Sequence, residues 1–264
     1  MPKVLEFIER NALKLIIGTV MIWSISIGSI YLQKANLNRR INQPTTTLQF
    51  HKPSYLELKS HNVFIIGCSG DVDIADKLAV AAEPGGCWAG TGVVIKITDD
   101  ETFILTNGHV AGENEEIEKE TILYIESGNK KIKAEIVAFH KQVDLAIIKI
   151  QGKIEGKTKI PGVSSVGIQD PIYIVGNPLR VKDVYSEGVV AGYVGVSMLL
   201  QVPCIYGNSG SGVYNADGKL VGLVFALEMY RGFLGIPESR ITHSLVIDSP
   251  VIKTFLDKFG LLDE

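Results

Sequence analysis

"YGNSGSGVYNADGKLVGLVFA", residues 206–226, is the stretch on which the reading of this chain turns. Its Gly, Asn and Ser content suits a flexible turn, yet an apolar, strand-like run follows closely. Ser209 stands between Gly207-Asn208 and Gly210, where missing side chains let the backbone turn tightly and gather its N–H groups at one point. A serine hydroxyl is a weak nucleophile at its own pKa. Hydrolysis needs a base within reach, a third group to orient the base, and donors for the oxyanion. The N–H groups of Gly207 and Ser209 are the natural donors, so the remaining question is whether the chain supplies a base and an acid.

The candidate base is His109 in "TFILTNGHVAG", just after an apolar run and beside Gly108. The candidate acid is Asp144 in "HKQVDLAIIKI", at the mouth of a buried run. The order His109, Asp144, Ser209 excludes the α/β-hydrolase order, and the G-x-S-x-G elbow fails because Ser211 stands where its last Gly belongs. An isolated Ser, His or Asp in such a place is weak, and it is order and context that give these three weight. His140 ends its run without a Gly turn and reads as a surface histidine; His51, His61 and His243 read as tether or surface residues. Cys204, between Pro203 and Ile205, lacks a Gly-built oxyanion loop and reads as a pocket-lining thiol.

The totals narrow the class. The chain has 264 residues, 46% of them hydrophobic, enough for one large domain or two small units sharing a cleft. A formal charge of −3 gives no reason to expect a nucleic-acid partner. Three cysteines, with no CxxC pair and no His at zinc spacing, make a metal site unexpected, and no cofactor is implied. Cys68 and Cys87 can pair in an exported chain and leave Cys204 free; three buried thiols are the equal alternative.

After residue 61 the chain breaks into short Val- and Ile-rich runs separated by turn residues, which argues for a sandwich or barrel. A second such series follows the polar segment 151–163, which suits a crossover between two β units. At the end, Ser249 caps a helix with Pro250 at its first position. Ile252, Phe255, Leu256 and Phe259 then share one face, and Gly260 suits the stop.

Residues 15–32 carry no charge and, as a helix rising about 1.5 Å per residue, just cross a hydrocarbon core. A membrane anchor over residues 1–32 is expected, rather than a signal peptide, since no Ala-x-Ala site stands out. Basic residues flank it on both sides, so the positive-inside rule does not fix its orientation. Residues 33–60 read as a tether and 61–264 as the catalytic domain.

These residues resemble the chymotrypsin-like (trypsin-fold) serine proteases, and among them the HtrA/Deg type. "GTGVVIKITDDETFILTNGHVAG" is similar to the approach to that family's catalytic His, "DLAIIKI" to its Asp motif, "VGNPLRVKDVYSEGVVAGYV" to its Gly-Asn-Pro segment, and "GNSGSGVYNADGKLVGLVF" to its nucleophile loop. The resemblance covers roughly residues 61–258. It implies an all-β fold of two six-stranded antiparallel β-barrels with a C-terminal helix, preceded here by one transmembrane helix. It implies a serine endopeptidase with His109, Asp144 and Ser209 as catalytic triad, forming an acyl-enzyme. Ser211 departs from the family's second Gly, and Asn208 replaces the Asp that pairs with a freed N-terminus in zymogen-activated relatives. No counterpart of the PDZ domain common in HtrA relatives is expected. Relatives that cut after Lys or Arg carry Asp where Pro203 stands. With Cys204 and the run Val224, Phe225, Ala226, this implies a pocket for a small or medium apolar side chain. Expected partners are a protein or peptide substrate and a membrane, with the catalytic domain extracytoplasmic and an oligomer left open. The alternative is a membrane-anchored pseudoprotease or peptide-binding scaffold of the same fold.

Overall fold

The computed structural model describes residues 52–69, 86–112, 121–231 and 237–262. The anchor expected over residues 15–32 lies outside them. Among the described residues no helix is long and apolar enough to cross a membrane.

Among the described residues the Val- and Ile-rich runs become twelve strands in two closed barrels. The first contains β1 (Asn62–Ser69), β2 (Cys87–Ile97), β3 (Glu101–Thr106), β4 (Thr121–Ser127), β5 (Lys130–His140) and β6 (Leu145–Gln151). It closes in the order β1-β2-β3-β6-β5-β4. The second contains β7 (Pro171–Gly176), β8 (Val184–Val194), β9 (Ser197–Leu200), β10 (Gly212–Tyr214), β11 (Leu220–Arg231) and β12 (Pro237–Asp248). Its order, read from β7, is β7-β8-β9-β12-β11-β10, the same path as the first barrel. Every pairing is antiparallel. The two six-stranded antiparallel barrels are therefore those that the family resemblance implies. Closure leaves no open sheet edge, and register shifts such as that between Val94 and Lys96 bend the strands round.

Alternation places Val63, Ile65, Ile104, Leu123 and Ile148 inside the first barrel. Ile172, Ile174, Met198, Leu200 and Val221 fill the second. A third cluster joins the two: Val93 and Leu105 from one barrel meet Tyr173, Val175, Tyr214 and Leu223 from the other. The crossover packs along both, with Ile160 N–H donating to Val94 O at 3.0 Å and Ser164 N–H to Leu220 O at 2.9 Å.

Three short helices complete the described chain: α1 (Tyr55–His61), α2 (Gly108–Ala111) and α3 (Ser249–Asp257). The cap of α3 is one residue earlier than expected, because the Asp248 carboxylate accepts from Ser249 N–H at 2.7 Å. Ile252, Phe255 and Leu256 are buried on the interbarrel cluster, whereas Phe259 remains 45% exposed. α1 lies within the segment read as a tether. Ser54 caps it, accepting from Glu57 N–H at 3.1 Å, and Leu58 is fully buried, so the fold begins before residue 61. His61, expected at the surface, is a buried residue: its Nδ1–H donates to Thr158 O at 2.9 Å and its ring lies 6.0 Å from that of Tyr214. His140 is half-buried, edge-on to Phe255 at 6.3 Å. Cys68 and Cys87, directly opposed on β1 and β2, form a disulfide.

Candidate active site

His109 sits in the single turn of α2, three residues beyond the end of β3. Gly108 is required there by close approach: a Cβ would lie 2.3 Å from the Phe139 ring and 3.1 Å from Asp144 Oδ1. Asp144 ends a tight turn, Lys141–Val143, in a left-handed conformation with φ 54°. That conformation is uncommon for a residue with a side chain. It is held because the Asp144 carbonyl accepts from Gly108 N–H at 3.0 Å and Asn107 Nδ2 at 3.1 Å.

The carboxylate then grips the histidine twice. Oδ1 accepts from the His109 backbone N–H at 2.9 Å, and Oδ2 lies 2.7 Å from His109 Nδ1. A carboxylate can only accept, so the ring proton belongs on Nδ1 and Nε2 is left free to take a proton.

Ser209 is delivered by the second barrel but seated on the first. Its carbonyl accepts from Thr91 N–H on β2 at 2.8 Å, and the Thr91 hydroxyl donates to Gly207 O at 2.8 Å. Gly210 N–H donates to Val224 O at 2.8 Å. At Gly210, φ is 84° and a Cβ would stand 1.9 Å from Thr91 O, so no side chain fits. Thr106, the last residue of β3, donates its hydroxyl to that same Thr91 carbonyl at 2.7 Å. The strand leading to His109 and the loop carrying Ser209 thus meet at one residue, Thr91, the first through its carbonyl and the second through its N–H and hydroxyl. Among the described residues, no hydrogen bond joins the His109 ring to the Ser209 hydroxyl.

The loop also explains Ser211. Its side chain is fully buried, its Oγ donates to Asn208 Oδ1 at 3.4 Å, and its N–H donates to Asn208 O at 2.9 Å. A serine is therefore accommodated at this position, bonded to Asn208, the residue between Gly207 and Ser209.

The residues read as a specificity pocket divide. Pro203 is exposed, while Cys204 and Val224 are buried in the core of the second barrel. Phe225 is half-buried against the interbarrel cluster, and the Ala226 side chain lies outside the described residues. Burial pushes the Cys204 thiol pKa up, which is unfavourable for a nucleophile. Its backbone N–H donates to Ser244 Oγ at 2.9 Å, and that hydroxyl donates to Val202 O at 2.6 Å, tying β12 to the segment before the nucleophile.

Thr91, Thr106, Asn177 and Ser244 escape sequence reasoning. Asn177 is buried, with both N–H and Nδ2 donating to Thr91 Oγ1 at 3.1 and 3.0 Å. Only the Gly-Asn-Pro resemblance marked its segment, and nothing in the spacing assigned it a partner.

Comparison with known proteins points to one family. Two curated relatives are HtrA-like serine proteases. That of Staphylococcus epidermidis is 32% identical over 155 residues, covering 51% of this chain and 26% of the relative. That of Staphylococcus aureus is 32% identical over 157 residues, covering 52% and 20%. The matches thus span about a quarter of those proteins or less. Among solved structures, a serine endoprotease from Yersinia pestis superposes with a TM-score of 0.55 at 19% identity, covering 78% of this chain and 66% of the other. An inactive form of Rv3671c from Mycobacterium tuberculosis gives 0.55 at 16% identity, covering 83% and 95%. At such identities these two speak for the fold alone. The profile of the trypsin-like peptidase domain matches residues 90–223, half of the chain and a span that includes His109, Asp144 and Ser209, so the chain belongs to the trypsin-like peptidase domain family.

Proposed function

We propose that this protein is a serine endopeptidase that cleaves peptide bonds in protein or peptide substrates through His109, Asp144 and Ser209. The observation that carries the reading is the double grip of Asp144 on His109, at 2.9 Å to the backbone and 2.7 Å to the ring. A merely structural histidine has no need of a carboxylate that fixes its tautomer.

In the first step Ser209 Oγ attacks the substrate carbonyl while His109 Nε2 takes its proton. Asp144 stabilises the resulting imidazolium without itself being protonated. The N–H groups of Gly207 and Ser209 receive the oxyanion, each contributing about 3 kcal/mol in comparable sites. Collapse of the tetrahedral species breaks the C–N bond, and His109 returns the proton to the leaving amine. Water then attacks the acyl-enzyme with His109 as base, releasing the acid and restoring Ser209.

Two further parts belong to the proposal. The uncharged residues 15–32 tether the domain to a membrane, and the domain lies on its extracytoplasmic side; the Cys68–Cys87 disulfide supports an oxidising compartment. Substrates present a small or medium apolar side chain before the scissile bond, since Pro203 offers no carboxylate to a basic one.

Labelling with a fluorophosphonate tests the central claim. The intact protein should take up label and Ser209→Ala should not; equal uptake by both removes the enzyme assignment.

A further inference from the structure

We infer that Asp183, held by α1, is a positioning residue for the Gly207 oxyanion donor, an inference that rests on the peptidase reading above. The starting point is the Tyr206–Gly207 peptide, whose carbonyl accepts from Leu179 N–H at 2.7 Å. In a trans peptide the C=O and N–H point in opposite directions. That bond therefore turns the Gly207 N–H away from the turn at residues 178–183. The approach is close: at Gly207, with φ 94°, a Cβ would lie 2.5 Å from Asn177 O and 3.1 Å from Leu179 N.

The turn that supplies this N–H is not one the chain adopts unaided. Leu179, Arg180 and Asp183 have φ of 48°, 66° and 57°, and none of them is glycine. Leu179 is 64% exposed, so packing of its side chain does not hold it. The hold comes from the far end, at Asp183. Its N–H donates to Asn177 Oδ1 at 3.0 Å, and its carbonyl accepts from the Tyr55 hydroxyl at 3.1 Å. Its Oδ1 accepts from Asn62 Nδ2 at 2.8 Å, and Lys59 Nζ lies 3.3 Å from Oδ2. Tyr55 and Lys59 belong to α1, and Asn62 opens β1. The segment entering the first barrel thus braces a turn of the second, and that turn sets the plane of a peptide in the catalytic loop.

The test is fluorophosphonate labelling of the full chain, read together with amide hydrogen exchange. In Asp183→Ala the labelling rate at Ser209 should fall about tenfold or more, as expected when an oxyanion donor is misdirected. Exchange should rise at 177–183 and 204–210 while the first-barrel strands keep their protection. Asp183→Asn retains an oxygen for Asn62 but loses the charge facing Lys59, and should lose only about threefold. The double variant Tyr55→Phe/Lys59→Ala leaves the turn's own sequence intact and should move both readouts in the same direction. Wild-type labelling by Asp183→Ala overturns the inference. So does wild-type exchange at 204–210 in the folded double variant, even if Asp183→Ala fails to fold. If the unaltered protein and Ser209→Ala take up label equally, the peptidase reading falls instead, and exchange still decides whether Asp183 holds the loop.

Discussion

Asp144 performs two tasks with one carboxylate, and they separate on mutation. In Asp144→Asn the amide oxygen can still accept from His109 N–H, but the NH2 group donates to Nδ1 and forces the proton onto Nε2. We expect kcat to fall by about 10⁴-fold with the fold retained, measured by steady-state peptide hydrolysis and circular dichroism. His61 yields a prediction of a different kind. Burial holds its pKa below the usual 6.5, the Thr158 carbonyl opposing that shift only in part. The unfolded chain then binds a proton that the folded one resists. Stability is full above about pH 6.5 and declines as the pH falls toward the lowered pKa, by up to about 1.4 kcal/mol per unit. Thermal melts between pH 4.5 and 7.5 should show this acid-side decline, and His61→Phe should flatten it. His109, Asp144 and Ser209 were legible as candidates because each sits beside punctuation: Gly108, a polar turn, or paired glycines. Thr91 and Asn177 were not, because their roles exist only across 86 residues of separation.

At the scale of elements, β2 does the most to organise the site. Its first residue is bonded to β1 through the disulfide, its middle supports the Ser209 loop through Thr91, and Val94, three residues before its end, meets the crossover. Cys68 and Cys87 are separated by 19 residues. Closing a loop of that length stabilises by roughly 3 kcal/mol in the chain-entropy account. Cys68→Ser/Cys87→Ser should therefore lower the denaturation midpoint in urea by a corresponding amount, and dithiothreitol should reproduce the loss in the unaltered protein only. The strands were readable from apolar runs bounded by turns. α1 was not, since "YLELKSH" carries no sustained apolar period: Leu58 is buried and Leu56 is 74% exposed. Its helix depends on the Ser54 cap and on docking against both barrels, which composition does not encode.

Across the whole molecule, two barrels of identical strand path share one apolar seam sealed by α3. Leu256 is fully buried in that seam. Leu256→Ala should cost about 2–5 kcal/mol, and calorimetry should show the barrels unfolding in one transition, because the cavity weakens both at once. Two β units were predictable from the two series of runs, and their closure from the family resemblance. What could not be foreseen was how one barrel's strands hold the other barrel's loop, since hydroxyl-to-carbonyl links leave no periodic trace.

Gly108 has a consequence for surveys of related genomes. With 2.3 Å between its absent methyl and Phe139, and 3.1 Å to Asp144, a single alanine codon there would pry the imidazole from its carboxylate while leaving His109, Asp144 and Ser209 unchanged. Paralogues silenced in this way would pass any motif scan as active hydrolases, and only attention to a residue that performs no chemistry would expose them.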